Sequence, residues 1–216
     1  MWTDPPNGRL NWRAAERSLV KSDPAMARLV RQVGPCRLAP RPDPFQTLVI
    51  SIFNQQLSTK GAATLFDRFR GRFPGMRVTP RRVLAALDGG AACWDDETIR
   101  FCGISRQKRA YLVDLSERIV SRRLVLSKLA EMEDEAVIER LAQVKGIGVW
   151  TAQMFLMFTL CRPDVLPVLD LGIQESARRL YDLPERPKAA TLTELAEPWR
   201  PWRTIACWYL WRGLEG

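Results

Sequence analysis

The chain has 216 residues, with 33 lysines and arginines against 24 acidic residues, a formal net charge of +9, and no histidine. The missing imidazole excludes Ser-His-Asp and Cys-His nucleophile pairs and any metal site built on histidine, so an enzyme of this composition works with carboxylates, backbone groups, lysine or aromatic rings. The charge is carried by 27 arginines and only 6 lysines; the planar arginine fork suits phosphate and points towards nucleic acid, although an arginine-rich surface can also do no more than solvate helices.

At roughly 100–200 residues per domain the length allows one domain or two packed lobes, and 46% hydrophobic residues supply a real core. The five cysteines, at positions 36, 93, 102, 161 and 207, form no CxxC pair. That spacing supports no zinc site, iron–sulfur cluster or disulfide framework, so a reduced cytosolic or nuclear setting is expected; the location expected for the whole chain is the cytoplasm of a bacterium, at the nucleoid, with no membrane partner. Met1–Pro6 has no signal-peptide character, and no apolar run approaches the ~18 residues of a membrane span.

Hydrophobic periodicity predicts helix after helix and no alternating strand, hence an all-α fold. In chain order the expected helices are Trp12–Val20, Pro24–Gln32, Pro44–Gln55, Ser58–Phe69, Pro80–Leu87, Asp95–Phe101, Arg106–Ser121, Asp134–Leu141, Val149–Leu160, Leu171–Tyr181, Ala189–Glu197 and Pro201–Arg212. Thr79-Pro80 is a start signal, since Thr caps and Pro fits the first turn. In Arg106–Ser121 the apolar Leu112, Leu115 and Ile119 share a face and leave Arg109 and Arg118 for solvent or phosphate. Proline-rich stretches at 34–44 and 162–167 are the expected passages between two helical lobes, a middle lobe of residues 45–165 and a second lobe of 1–44 plus 166–216.

The segment Leu141-Ala142-Gln143-Val144-Lys145-Gly146-Ile147-Gly148-Val149-Trp150-Thr151-Ala152 reads as helix, tight turn, helix. Gly146 and Gly148 permit positive φ and close backbone approach, Ile147 can plug the core, and the second helix starts at once with its amides unpaired. Amides plus helix dipole bind a phosphate without reading a base, and Lys145 adds a point charge. A glycine-containing corner that binds nothing has the same local pattern.

The whole string resembles the helix-hairpin-helix of DNA glycosylases. Pro44–Val49 with Asn54–Ser58, Gly103–Lys108, and Trp199–Arg203 with Trp208–Trp211 resemble the 3-methyladenine DNA glycosylase II family over residues 10–214. That family places an essential aspartate in a Gly/Pro-rich loop after the hairpin, and the match here is Asp170, in Arg162–Ile173. Two departures stand out: 216 residues leave no room for the N-terminal β-containing domain of longer bacterial members, and Leu169-Asp170 replaces the acidic pair of many relatives.

The resemblance implies a monofunctional enzyme that removes alkylated bases (3-methyladenine, 7-methylguanine type) and leaves an abasic site. Asp170 would stabilise the oxocarbenium-like sugar, directly or through water. An N-alkylated purine already carries the positive charge its departure relieves, so a site without histidine suffices. From local sequence alone Asp170 is equally an N-cap of the helix that follows, and Asp164 is the fallback carboxylate. Bifunctional relatives have a Schiff-base lysine where this chain has Trp150, so β-elimination is not expected.

Trp150, Met154 and Trp211 match the base pocket, whereas Trp94, Trp199 and Trp202 are expected in the core. Gln56 and Leu57 occupy the wedge position, and Lys145, Gly146, Ile147, Gly148 and Thr151 the phosphate clamp. No cofactor is required, although the family implies a backbone-bound monovalent cation near Ala142–Ile147, with no side-chain metal ligands. The expected partner is double-stranded DNA containing damaged bases, bound by a monomer. Two alternatives stay open: a non-catalytic DNA-binding hairpin module, and a glycosylase for another lesion class.

Overall fold

The computed structural model describes residues 12–89 and 91–214; Met1–Pro6 lies outside the described residues. These residues form twelve α-helices and no strand: α1 (Arg13–Ser22), α2 (Pro24–Val33), α3 (Pro44–Asn54), α4 (Thr59–Gly71), α5 (Pro80–Leu87), α6 (Asp96–Phe101), α7 (Arg106–Val120), α8 (Asp134–Ala142), α9 (Val149–Phe158), α10 (Leu171–Leu180), α11 (Ala189–Leu195) and α12 (Arg203–Gly213). The all-α class expected from periodicity is the class observed. Among the described residues no helix is long and apolar enough to cross a membrane.

The starts are written in short polar side chains. Asp23, Asp43, Ser58, Thr79, Asp95, Ser105 and Asp170 each accept a hydrogen bond from an amide in the first turn of the helix they precede, satisfying donors that have no partner inside the helix. Pro24, Pro44 and Pro80 follow their caps at the first helical position, where a missing N–H removes nothing.

Some ends differ from the sequence expectation. The α9 helix stops at Phe158 because Cys161 adopts a left-handed φ of 52° and the Arg162 amide turns back to the Leu156 carbonyl at 2.9 Å. Pro198 has no amide to donate to the Glu194 carbonyl, so α11 ends at Leu195 and the chain continues as a 3-10 turn, Glu197–Trp199. Neither Arg109 nor Arg118 is left for solvent. Arg109 Nε donates to the Leu87 carbonyl at 2.7 Å across the α5–α7 packing, and Arg118 Nε donates to Asp114 Oδ2 at 2.8 Å.

Two compact units emerge: Met1–Pro40 with Leu156–Gly216, and Arg41–Phe155. In the Arg41–Phe155 unit α7 packs on α5 and α3, and α3 on α4. Its core includes an aromatic cluster of Phe53, Phe66, Phe69, Phe73 and Trp94, with successive ring centroids 5.0 to 5.7 Å apart.

In the other unit α12 is buried from Thr204 to Leu210 and packs on α2, α10 and α1. A helix apolar on every side belongs in the middle of its unit. Trp199 is fully buried and Trp202 is partly exposed.

That unit also encloses a charge. Asp23 is buried, and its Oδ1 accepts the Ala25 and Met26 amides while Oδ2 accepts Trp199 Nε1 at 2.9 Å and the Tyr181 hydroxyl. A buried carboxylate persists only when its lone pairs are filled, as here. Replacing Asp23 by Ala removes the cap and strands two buried donors, so thermal unfolding should show a loss of about 3–5 kcal/mol.

Burial, joined by Asp23 at Tyr181 and Glu16 at Tyr209, pushes both phenols well above their ordinary range. Both stay protonated in the folded chain at a pH where the unfolded chain ionises, so their contribution is complete below about pH 10 and lost above it. The melting temperature of the wild type should fall through that range, and less steeply for Tyr181→Phe/Tyr209→Phe; equal slopes would refute the assignment.

Candidate active site and anion-binding hairpin

The α8–α9 hairpin is a tight turn held from three directions within the Arg41–Phe155 unit. Inside the turn, the Val144 amide donates to the Leu141 carbonyl and the Ile147 amide to the Val144 carbonyl, each at 3.0 Å, and Ile147 is buried. From α7, Asp114 Oδ2 accepts the Lys145 amide at 2.9 Å while also pairing with Arg118. From the end of α3, Gln55 Nε2 donates to the Gly146 carbonyl at 2.7 Å.

Gly146 is required here: its φ is +80°, and a Cβ would lie 2.1 Å from the Tyr111 ring. No such crowding affects Gly148, where a Cβ would meet open space. Nor does Gly148 take the positive φ expected of it, so neither space nor backbone conformation requires glycine there.

Of the five residues assigned to a phosphate clamp, two have amides already taken, that of Lys145 by Asp114 of α7 and that of Ile147 by the Val144 carbonyl. Thr151 is buried, and the Lys145 side chain is exposed.

The turn before α4 carries the two wedge candidates. Gln56 takes a left-handed φ of 60° and is exposed; Leu57 is exposed to 42%. Lys108 braces this turn: its Nζ donates to the Phe53 carbonyl at 2.9 Å, where the negative end of α3 favours a cation, and partial burial pulls the ammonium below its ordinary range. On α9, Trp150 and Met154 are one turn apart; Trp150 is 49% exposed and Met154 half-buried. A tryptophan half in solvent on an otherwise apolar helix is not a core residue.

In the other unit, the loop leading to Asp170 is fastened to the start of α12. Asp164 pairs with Arg203 at 2.6 Å and Arg200 at 2.8 Å, Thr204 Oγ1 donates to the Arg162 carbonyl, and the Val165 amide donates to Thr204 Oγ1. Asp164 is thus an anchor of the loop. Farther on, Gln174 Nε2 donates to the Val168 carbonyl and the Asp170 amide to the Pro167 carbonyl.

Asp170 is 8% exposed at the N-terminus of α10. Its Oδ1 accepts the Ile173 amide at 2.8 Å and Trp211 Nε1 at 3.0 Å. The cap and the indole together fix the plane of the carboxylate, and Trp211 is itself held by the Phe158 ring, with centroids 5.8 Å apart and a tilt of 32°. Asp170 and Trp211, placed in the catalytic centre and the base pocket by sequence, are in direct contact.

Sequence reasoning missed the residues that make these arrangements possible. Asp114 reads as half of an i,i+4 surface pair, and nothing local says that it also holds a backbone amide from another element. Gln55 and Tyr111 carry no signal of their own.

Gly172 does carry one. Glycine is a poor choice in a helix's first turn, and here a Cβ would sit 3.1 Å from Asp170 Oδ1 and 3.2 Å from Trp211 Cδ1. The glycine lets the indole reach the carboxylate. Gly172→Ala should therefore loosen the Asp170–Trp211 bond, seen as indole N–H exchange faster by about tenfold, while the gain in helix propensity of roughly 1 kcal/mol keeps the melting temperature near that of the wild type. Unchanged indole exchange would refute this role.

Comparison with known proteins places these features in a family. Residues 49–201 match the HhH-GPD superfamily of base excision DNA repair proteins. The DNA-3-methyladenine glycosylase 1 of Schizosaccharomyces pombe is 36% identical over 207 residues, covering 92% of this chain and 86% of the relative. The structure of the S. pombe 3-methyladenine DNA glycosylase Mag1 in complex with abasic DNA superposes with a TM-score of 0.79 at 35% identity, covering 92% of this chain and 95% of that one. A DNA-3-methyladenine glycosidase from Bacillus halodurans gives 0.78 at 35% identity, over 94% and 90% of the two chains. The chain belongs to the HhH-GPD superfamily of base excision DNA repair proteins.

Proposed function

We propose that this protein is a monofunctional DNA glycosylase that removes alkylated bases of the 3-methyladenine and 7-methylguanine type from double-stranded DNA and leaves an abasic site. The observation that carries the reading is the buried Asp170 carboxylate, oriented by the Ile173 amide and the Trp211 indole.

Breaking the N-glycosidic bond leaves positive charge on the sugar, and a preorganised carboxylate in a largely water-excluded position stabilises that charge most where it develops. The bond's electron pair leaves with the base nitrogen and neutralises an N-alkylated purine, so no proton donor is needed. Water then forms the new bond at C1′ and gives up a proton, with Asp170 as acceptor or orienting group. This accounts for a catalytic centre in a chain without histidine. Trp150 stands where a Schiff-base lysine would be needed for strand cleavage.

The damaged nucleotide must leave the stack, which calls for aromatic surfaces and a wedge. Trp150, Met154 and Trp211 supply surfaces on which a cationic purine stacks well, and the exposed Gln56 and Leu57 fill the vacated space. Of the large apolar side chains left in solvent, Leu57 and Trp150 are among these positions, Val149 lies beside Trp150, and Leu169 and Leu171 flank Asp170.

Phosphate is held by the Gly146–Gly148 turn, by the first-turn amides of α9 up to Thr151, and by the Lys145 side chain, with Ile147 as the plug that shapes the turn. A backbone-bound monovalent cation near Ala142–Ile147, after the negative end of α8, is part of the same reading, and Gln55 Nε2 already takes one lone pair of the Gly146 oxygen. The enzyme acts as a monomer in the cytoplasm.

Asp170→Asn keeps a side chain that can cap α10 and accept from Trp211, so the fold and DNA affinity should survive. Release of 3-methyladenine from a defined duplex, followed by alkali cleavage, should fall at least several hundredfold, the order expected for losing a principal transition-state charge contact. Base release at the normal rate would refute the mechanism, and loss of DNA binding in parallel would show that Asp170 serves only the fold. Duplexes carrying single deaminated or oxidised bases, assayed alongside, delimit the lesion class.

A further inference from the structure

The Arg41–Phe155 unit holds a second basic feature apart from the hairpin turn. A cavity of about 250 Å³ is rimmed by Arg122, Arg123, Lys128 and Arg140 over an apolar floor that includes Leu129 and Met132. A wider depression of about 630 Å³ shares Arg122 and Lys128 with it. Its lining includes no carboxylate.

Elsewhere several of this chain's arginines are paired with carboxylates. Arg118 pairs with Asp114, Arg178 and Arg179 with Glu175, and Arg200 and Arg203 with Asp164. Glu175 is pulled down to about 2, chiefly by its hydrogen bonds from the two guanidinium groups. Among the described residues, none of the four rim cations has such a carboxylate partner. Like charges gathered around one concavity raise the local positive potential and draw an anion to it.

The rim is also shaped. Arg122 sits at a left-handed φ of 60°, its amide donating to the Ile119 carbonyl, and Arg123 Nε donates to Ser121 Oγ at 3.0 Å. The turn after α7 thereby sets two consecutive arginines at the mouth of the cavity. Guanidinium groups so placed match the oxygens of a phosphate bidentately, and Lys128 and Arg140 add point and planar charge.

We propose that this cavity is a second phosphate-binding site, distinct from the hairpin. The phosphate comes either from a DNA strand or from a free phosphorylated small molecule, and the two sources are separable. The inference does not depend on the chemistry at Asp170.

The test uses the full chain with Lys128→Ala/Arg140→Ala, in which both targets are exposed, and a charge-matched control, Lys21→Ala/Arg31→Ala, exposed on α1 and α2. Lys128→Gln/Arg140→Gln keeps longer stems should the alanine pair fold poorly. Inorganic pyrophosphate titrated calorimetrically should bind the cavity variant at least about tenfold more weakly than the control. The second measurement is the salt dependence of binding to an undamaged duplex, where each lost phosphate contact lowers the log–log slope by about 0.9.

A slope reduced by about 1–2 relative to the control assigns the site to a DNA strand. A pyrophosphate defect with an unchanged slope assigns it to a free phosphate ligand. If the cavity variant matches the control in both measurements, the proposal is wrong. Base release from alkylated DNA, measured in parallel, reports on Asp170 and is expected to proceed in both variants.

Discussion

The first turn of an α-helix presents amides that the helix itself cannot satisfy, and the architecture of this protein follows from how they are answered. Asp, Ser and Thr caps close half of the twelve helix starts and let short helices follow one another through brief turns. At α10 the answer is a carboxylate that also belongs to the candidate active site. At α9 the preceding residue is Gly148, which has no side chain to offer as a cap. One backbone property thus yields stability at several helix starts and an oriented carboxylate at another.

The same constellation occurs twice within one unit. Asp23 caps α2 and accepts the Trp199 indole; Asp170 caps α10 and accepts the Trp211 indole. Their surroundings separate their roles. Asp23 is sealed by the Tyr181 hydroxyl in a region where burial drives phenol ionisation out of reach. Asp170 is flanked by Leu169 and Leu171, 71% and 64% exposed. Asp23 has its second oxygen filled by the Tyr181 hydroxyl and the Trp199 indole, whereas Asp170 lies between two large apolar side chains left in solvent.

Preorganisation in both units relies on residues that take no direct part in the proposed chemistry. Asp164 anchors the loop that delivers Asp170, Gly172 leaves room for Trp211, and Phe158 supports the indole. Asp114, Gln55 and Tyr111 hold the hairpin by its amide, its carbonyl and its glycine. A reacting group misplaced by an ångström loses much of its effect, so such supports matter as much as the groups they hold.

By itself the sequence determined the all-α class, the succession of twelve helices and most of their starts, because apolar periodicity and capping side chains act within a few residues of chain. It also determined the hairpin, whose left-handed Gly146 and buried Ile147 are local requirements of a tight turn. Ends of α9 and α11 were less legible, since a left-handed Cys161 and a proline two residues beyond Ala196 change the outcome by small local energies.

Only the tertiary structure decided what long-range contacts decide. It gave Arg109 to the Leu87 carbonyl, Asp114 to the Lys145 amide, Asp164 to Arg203 and Trp211 to Asp170, across sequence separations of 22, 31, 39 and 41 residues. A side chain's charge and shape are written in its own codon, but the identity of its partner exists only once packing has brought distant segments within hydrogen-bonding distance.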